Sequence, residues 1–418
     1  MPARWAFSPG CATSLATMAL GIRTRNVRTV FIVLSALVLS GCLSALTLNK
    51  AVISYDDAIT DALSKQLLIN IARAQHRQPV HFTGVSNVAA TFDFRTNAGF
   101  TPALTGESGK TLLPLFGGSV AENPTISIAP IEGEEFTKRL LTPFEEIKLM
   151  LLLRQGVDID LLLRLMAKEL RVKEGGREIA YRNLPSDRAG YEMFRRVVLH
   201  LSAIQDQNRL YAEPLVFERV WTIPAESVTA EGFKALEEQY LVVYDGKAKT
   251  YTLRKKVIGR ILITNYDPDM LSFEERARLS YEAEDWPPND LTFDIRPGHP
   301  GGEWPIKGDF RLRSFHAILT ALGRSLEDEA EYHVEKDPRS PPVLNGENPV
   351  STMELVLSET PPLGADLSVL THGKFYAVKT DGPLARWNRL VFQLLYLLFQ
   401  MTVSEVPRTG VPFITIAK

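Results

Sequence analysis

The hydrophobic period of this chain changes at Pro79, and no all-helical or all-strand fold accommodates both sides of the change. Upstream, Ala58, Ala62, Leu63, Leu67, Leu68, Ile71 and Ala72 recur at three- and four-residue spacing, which predicts a helix over 51–78 that Pro79 stops. Downstream, alternate positions read Val88, Ala90, Phe92, Phe94, Thr96, Ala98 and Phe100, with Ala89, Thr91, Asp93, Arg95, Asn97 and Gly99 between them. A period of two makes this a strand with one apolar face. A Gly/Pro/Ser-rich stretch, 101–119, separates it from a second expected strand within Val120 to Ile131, so 85–131 reads as a long hairpin or ribbon. The expected class is α+β.

Helical spacing resumes over 133–172, where Thr142 is placed to cap a new helix, Pro143 to open it, and Leu161 to Leu170 to continue it. Tyr191 to Gln207 is a further helix. Strands are expected at 210–222 and 240–265, with a helix at 229–239 between them and a turn at Asp245-Gly246. Pro287, Pro288, Pro297, Pro300 and Pro305 mark 284–310 as a loop or linker. Beyond it the pattern gives a helix from Arg311 to Leu326, a polar loop at 336–349, and strands at Leu355–Ser358 and Phe375–Lys379. A helix over Pro383 to Val403, capped by Thr380 or Asp381, and a last strand at Phe413–Ala417 complete the chain. The organisation expected is a leader (1–41), an N-terminal helix with the ribbon (42–135), an α+β middle domain (136–283), the linker (284–310) and a C-terminal α+β domain (311–418).

The leader has its own logic. Arg23, Arg25 and Arg28 form a positive segment, Val30 to Leu39 is wholly apolar apart from Ser35, and Ser40-Gly41-Cys42 follows. The apolar run is too short to span ~30 Å of hydrocarbon but suits an export signal. Leu39, Ser40, Gly41 and Cys42 resemble the bacterial lipobox at all four positions. The resemblance implies that the Cys42 thiol accepts a diacylglycerol, that a peptidase cleaves before it, and that acyl chains such as palmitate then anchor the mature chain in a membrane. A start at Met18 gives a leader of more ordinary length. Leu43 follows the cysteine; resemblance to sorted lipoproteins implies that an aspartate there would favour retention in the inner membrane, so the expected location is the outer membrane, on the periplasmic face. The two cysteines, Cys11 and Cys42, leave no pair for a disulfide in the mature chain.

Composition narrows partners rather than naming them. A formal charge of -2 argues against nucleic acid as a partner. Gly106-Glu-Ser-Gly-Lys-Thr111 mimics a phosphate loop, but Leu104 stands where its leading glycine belongs, and Pro114 and the Gly117-Gly118 pair preclude the helix that must follow. A solvated hairpin tip explains it better. His76 and His81 lack the further ligands of a zinc site, and the other histidines (200, 299, 316, 333, 372) are scattered. Glu132, Glu134 and Glu135 suit a helix N-terminus, and Glu237, Glu238, Glu274 and Glu275 suit solvated helix faces. No serine-hydrolase elbow is present. Leu390 to Val403 is apolar but holds Gln393 and Gln400, so a buried core helix is expected there. No catalytic residue, cofactor or metal is expected.

The run Tyr55, Ser64-Lys-Gln-Leu-Leu-Ile-Asn70, Pro79-Val80, Pro124-Thr-Ile-Ser and Gly133-Glu-Glu-Phe136 resembles a family of uncharacterised bacterial lipoproteins. Gly373-Lys-Phe-Tyr376, the Arg389-to-Phe399 helix and Pro412-Phe-Ile-Thr-Ile416 fit the same pattern. The resemblance implies no activity. The function expected is a lipid-anchored, non-catalytic envelope scaffold or accessory subunit, with homo-oligomer or envelope-protein partners. The alternatives are a subunit of an oligomeric outer-membrane pore or export assembly using the ribbon, and an envelope hydrolase.

Overall fold

The computed structural model describes residues 24–102, 112–174, 176–284, 287–327, 329–342 and 348–403. Side chains are described from residue 49 onward, apart from residue 87, the ribbon positions 89–102 and 112–124, and 174 and 282–284. The chain divides between Asp61 and Ala62 into two compact units. The first holds the N-terminal part of α1 (Thr24–Gln75), and every other described element lies in the second. The class is α+β.

The period change at Pro79 is where α1 gives way to β1 (Phe82–Pro102), which pairs antiparallel with β2 (Leu112–Ile131). The ribbon is longer than the alternation alone indicated, since much of the stretch expected as a loop, 112–119, is strand. Pro124 stands opposite Ala90 within the ladder instead of interrupting it. In a two-stranded ribbon every strand has an outer edge, and a proline whose missing N–H would point outward costs the ladder nothing.

Three short helices follow: α2 (Glu134–Leu141), α3 (Glu146–Arg154) and α4 (Ile159–Met166). Thr142 and Pro143 do not open a helix. Thr142 ends α2, and Pro143 bridges to Ser314. The helix expected through Leu170 also stops early, because Ala167 begins β3 (Ala167–Glu174), which turns through Gly176 (φ 79°) into β4 (Arg177–Arg182). Leu170 and Val172, apolar and buried, alternate with the charged Glu169, Arg171 and Lys173, a period-two signature that the preceding leucine run obscures.

Beyond α5 (Arg188–Asp206), β5 (Tyr211–Pro224), α6 (Ala230–Gln239), β6 (Leu241–Asp245) and β7 (Thr250–Thr264) match the expected order. The proline-rich segment does not act as a linker. β8 (Asp290–Ile295) lies between its prolines, and β9 (Ile306–Leu312) starts directly after the last of them. These strands occupy the middle of a sheet ordered β4-β3-β9-β8-β7-β5, with β6 also on β7, so the expected middle and C-terminal domains share one sheet. Among the described residues the β7–β8 pair alone is parallel, and α7 (Phe273–Glu284) supplies the crossover such a pair requires.

Leu291, Phe293 and Ile295 of β8, Phe310 of β9 and Ile261 and Ile263 of β7 are buried in the core cluster that also takes in α4, α5, α8 (Phe315–Arg324) and α9 (Ala385–Gln400). Helix α8 is shorter than expected, because Arg311 and Leu312 still belong to β9. α9 buries Val391, Leu394, Leu395, Leu398 and Phe399, the core helix its sequence indicated, although Leu384 and neither Thr380 nor Asp381 precedes it as cap. A small sheet, β10-β12-β11 (Leu355–Ser358, Lys374–Val378, Ser368–Thr371), completes the unit, and β11 carried no sequence signal. Phe413–Ala417 lies outside the described residues.

Candidate functional site

Leu39, Ser40, Gly41 and Cys42 lie along the backbone of α1, and their side chains fall outside those described. Among the described residues no helix is long and apolar enough to cross a membrane. The Gly106–Thr111 motif also lies outside them.

The ribbon is fixed at its base by two amides of α1. Asn70 Nδ2 donates to His81 O at 2.8 Å and its Oδ1 accepts from His81 N at 2.9 Å. Gln66 does the same for Thr83, accepting from N at 2.7 Å and donating to O at 3.1 Å. Each side-chain amide presents one donor and one acceptor, so the pair serves the backbone as a neighbouring strand would. Phe82 stacks on Phe399 with ring centroids 4.4 Å apart and meets Phe136 and Phe315 at 6.3 Å. Beyond this base, among the described residues, β1 and β2 pair only with each other.

A second feature was invisible in the sequence. Burying the short helix α4 on all sides takes Asp160 and Arg164 inside with it. Arg164 Nη1 donates to Pro349 O at 2.7 Å, and its Nη2 donates to Val350 O at 2.8 Å and to Glu331 Oε1 at 3.3 Å. Arg195 of α5 donates to Asp160 and, at 3.0 Å, to Asn348. Glu331 further accepts from Tyr191 Oη at 3.2 Å, from Thr352 Oγ1 at 2.8 Å and from Thr352 N. Burial alone would lower the pKa of Arg164, but the carboxylates of Glu331 and Asp160 hold it above its ordinary value. Burial would likewise raise that of Glu331, and Arg164 with the Thr352 hydrogen bonds holds it below the usual carboxylate range.

Arg313, between β9 and α8, differs. It donates to Arg164 O and Leu165 O at 3.1 and 3.2 Å and to Asn183 O at 3.0 Å. The first two bonds satisfy carbonyls at the C-terminus of α4, where a cation is favoured, and the third reaches the segment after β4. Among the described residues no carboxylate lies within ion-pair distance of it, and burial pushes its pKa down to about 10, so it stays protonated near neutrality. Arg164 and Arg313 both face a cavity of about 530 Å³ that opens among Lys168, Arg182 and Arg324.

The histidines are less scattered than their numbering. His76 and His372 stack with ring centroids 4.3 Å apart, and His76 Nε2 is 3.1 Å from Tyr376 Oη. Among the described residues no three His, Cys, Asp or Glu side chains form a metal-holding group. His200 Nδ1 is 2.9 Å from Ser340 Oγ, but burial pushes its pKa down to about 4, and the nearby Asp337 is engaged by Arg339. Glu237 and Glu238 are exposed and Glu275 is paired with Arg296, as solvated helix faces allow. No protein family, curated protein or solved structure matches the chain.

Proposed function

We propose that the protein is a lipid-anchored, non-catalytic accessory subunit of an envelope assembly. Acylated Cys42 holds it to the outer membrane on the periplasmic face, and its ribbon joins it to further copies or to other envelope proteins. The ribbon carries this reading. Strands of 21 and 20 residues, roughly 65 Å long at ~3.3 Å per residue, pair among the described residues with nothing but each other. Two-stranded hairpins are marginal alone in water, and an open strand edge is a template for another strand. The edges differ in sequence. β2 carries Pro114, Pro124 and Pro130, which deny an incoming strand its ladder, whereas β1 carries no proline before Pro102. The edge of β1 is therefore the pairing edge.

The anchor is supported by the four lipobox positions, and the outer membrane by the absence of aspartate after Cys42. Mass determination and sizing of the mature protein in mild detergent test the whole reading. The expected result is an acylated N-terminal Cys42 and an assembly larger than one chain, with Cys42→Ser abolishing membrane fractionation. An unacylated monomer that fractionates as before after Cys42→Ser refutes it.

The ribbon's length favours one further reading, a subunit of an oligomeric pore or export assembly. A membrane strand needs ~9–11 residues, and several hairpins together could close a barrel. Closure uses both edges, which the prolines of β2 oppose. Single-channel conductance in planar bilayers would establish the pore in place of the accessory role.

A further inference from the structure

We propose that the cavity between α4, β3, β4 and α8 binds a phosphate-bearing organic molecule, with Arg313 and Arg164 at its floor and Lys168, Arg182 and Arg324 at its mouth. At about 530 Å³ it lies within the size range of small-molecule sites. Arg164 is 1% and Arg313 9% exposed, while the other three cations are exposed, so charge runs from a dry floor to a wet rim.

The balance of charge selects the ligand. Three carboxylates share the lining with these five cations, namely Glu169, Glu329 and Glu331. Glu331 is committed to Arg164, Tyr191 and Thr352, and Glu329 approaches Arg324 at 3.8 Å. An excess of two positive charges remains, and a phosphate monoester carries about -1.5 to -2 at neutral pH. Arg313 is the decisive group. A guanidinium has five N–H donors, and the three hydrogen bonds Arg313 makes go to neutral carbonyls; Glu331 and Glu329 act on it only from beyond ion-pair distance, so its buried charge lacks a contacting counterion. An oxyanion there supplies the counterion, and guanidinium geometry suits phosphate. Leu165, Leu184 and Ile318 line the same cavity and suit an apolar portion of the ligand, so an ester is favoured over the free ion.

The site does not depend on the anchoring or assembly readings. Its test is calorimetric titration of the mature protein in mild detergent with phenyl phosphate and with inorganic phosphate, beside titration with short-chain, water-soluble phosphatidic acid or phosphatidylcholine. Saturable binding of phenyl phosphate, at least tenfold tighter than inorganic phosphate, is expected. It should weaken at least tenfold in the double variant Lys168→Ala/Arg182→Ala. Those exposed side chains have no described ion partner, so this variant keeps the fold even where Arg313→Met loses it. Binding of phenyl phosphate in solution identifies a soluble ester. Selective binding of the short-chain phosphatidic acid that the same double variant abolishes identifies a lipid headgroup, and either result supports the site. Absence of both, or binding that the double variant leaves unchanged, overturns the proposal.

Discussion

Glu331 is the residue whose removal the structure makes most costly. Glu331→Ala deletes the acceptor for Arg164 Nη2, Tyr191 Oη, and the backbone and hydroxyl of Thr352, leaving Arg164 with Asp160 at 4.0 Å and two carbonyls. Breaking a buried ion pair from one side strands the other charge, at a cost of about 3–5 kcal/mol. The lower figure alone lowers the folded-to-unfolded ratio more than a hundredfold, at about 1.4 kcal/mol per factor of ten. Trp387 is a built-in reporter, since its Nε1 donates to Thr352 O at 3.0 Å. Denaturant titration followed by tryptophan emission should therefore show the lost stability, with Glu331→Gln falling between wild type and Glu331→Ala. The pH dependence has a fixed sign. The folded pKa of Glu331 is depressed, so its contribution is present above the unfolded value of about 4.5 and is lost as pH falls through the folded one. Glu331→Ala should accordingly flatten the acid limb of the stability profile. A loss under about 1 kcal/mol, or an unchanged acid limb, would refute the account of this network.

Asp158 has the opposite sign. Burial and the neighbouring Asp160 raise its pKa to about 6, so the native state holds the proton more tightly and this group's contribution declines as pH rises from about 4 to 6. Asn can still accept from Asp160 N, so Asp158→Asn should remove that decline and gain roughly 1 kcal/mol at pH 7, read by thermal melting across pH. A Cβ at Gly308 would lie 2.0 Å from Arg171 O, forcing β9 from β3; Gly308→Ala should cost about 2–3 kcal/mol by denaturant titration. Successive strand residues point their N–H groups to opposite sides, so of Thr91→Pro and Phe92→Pro one blocks the outer edge of β1 while sparing the β1–β2 ladder. That variant should remain folded by circular dichroism yet lose the larger assembly on sizing.

Local order was legible from the residues. The spacing from Ala58 to Ala72 identifies the C-terminal part of α1, the alternation from Val88 to Phe100 identifies β1, and the apolar run at Leu390 identifies α9 as core. These signals are local, because one face of a helix or strand repeats within a few residues. Leu39 to Cys42 likewise form a contiguous motif, whose processing the Cys42→Ser experiment tests. Where local signals compete, the long-range partner decides. Leu161 to Leu170 satisfies helical spacing, yet β3 starts at Ala167 because β9 and β4 offer its backbone a ladder. Residues 290–295 hide among prolines and become strand β8 between β7 and β9.

The charged cavity belongs wholly to tertiary structure. Nothing in the sequence distinguishes Arg164 or Arg313 from the chain's many solvated arginines. Only folding brings Glu331 to Arg164 and Asn183 to Arg313 across separations of 167 and 130 residues. Chain pattern records which face a residue presents, but a buried charge is defined by what meets it, and here those groups come from distant segments.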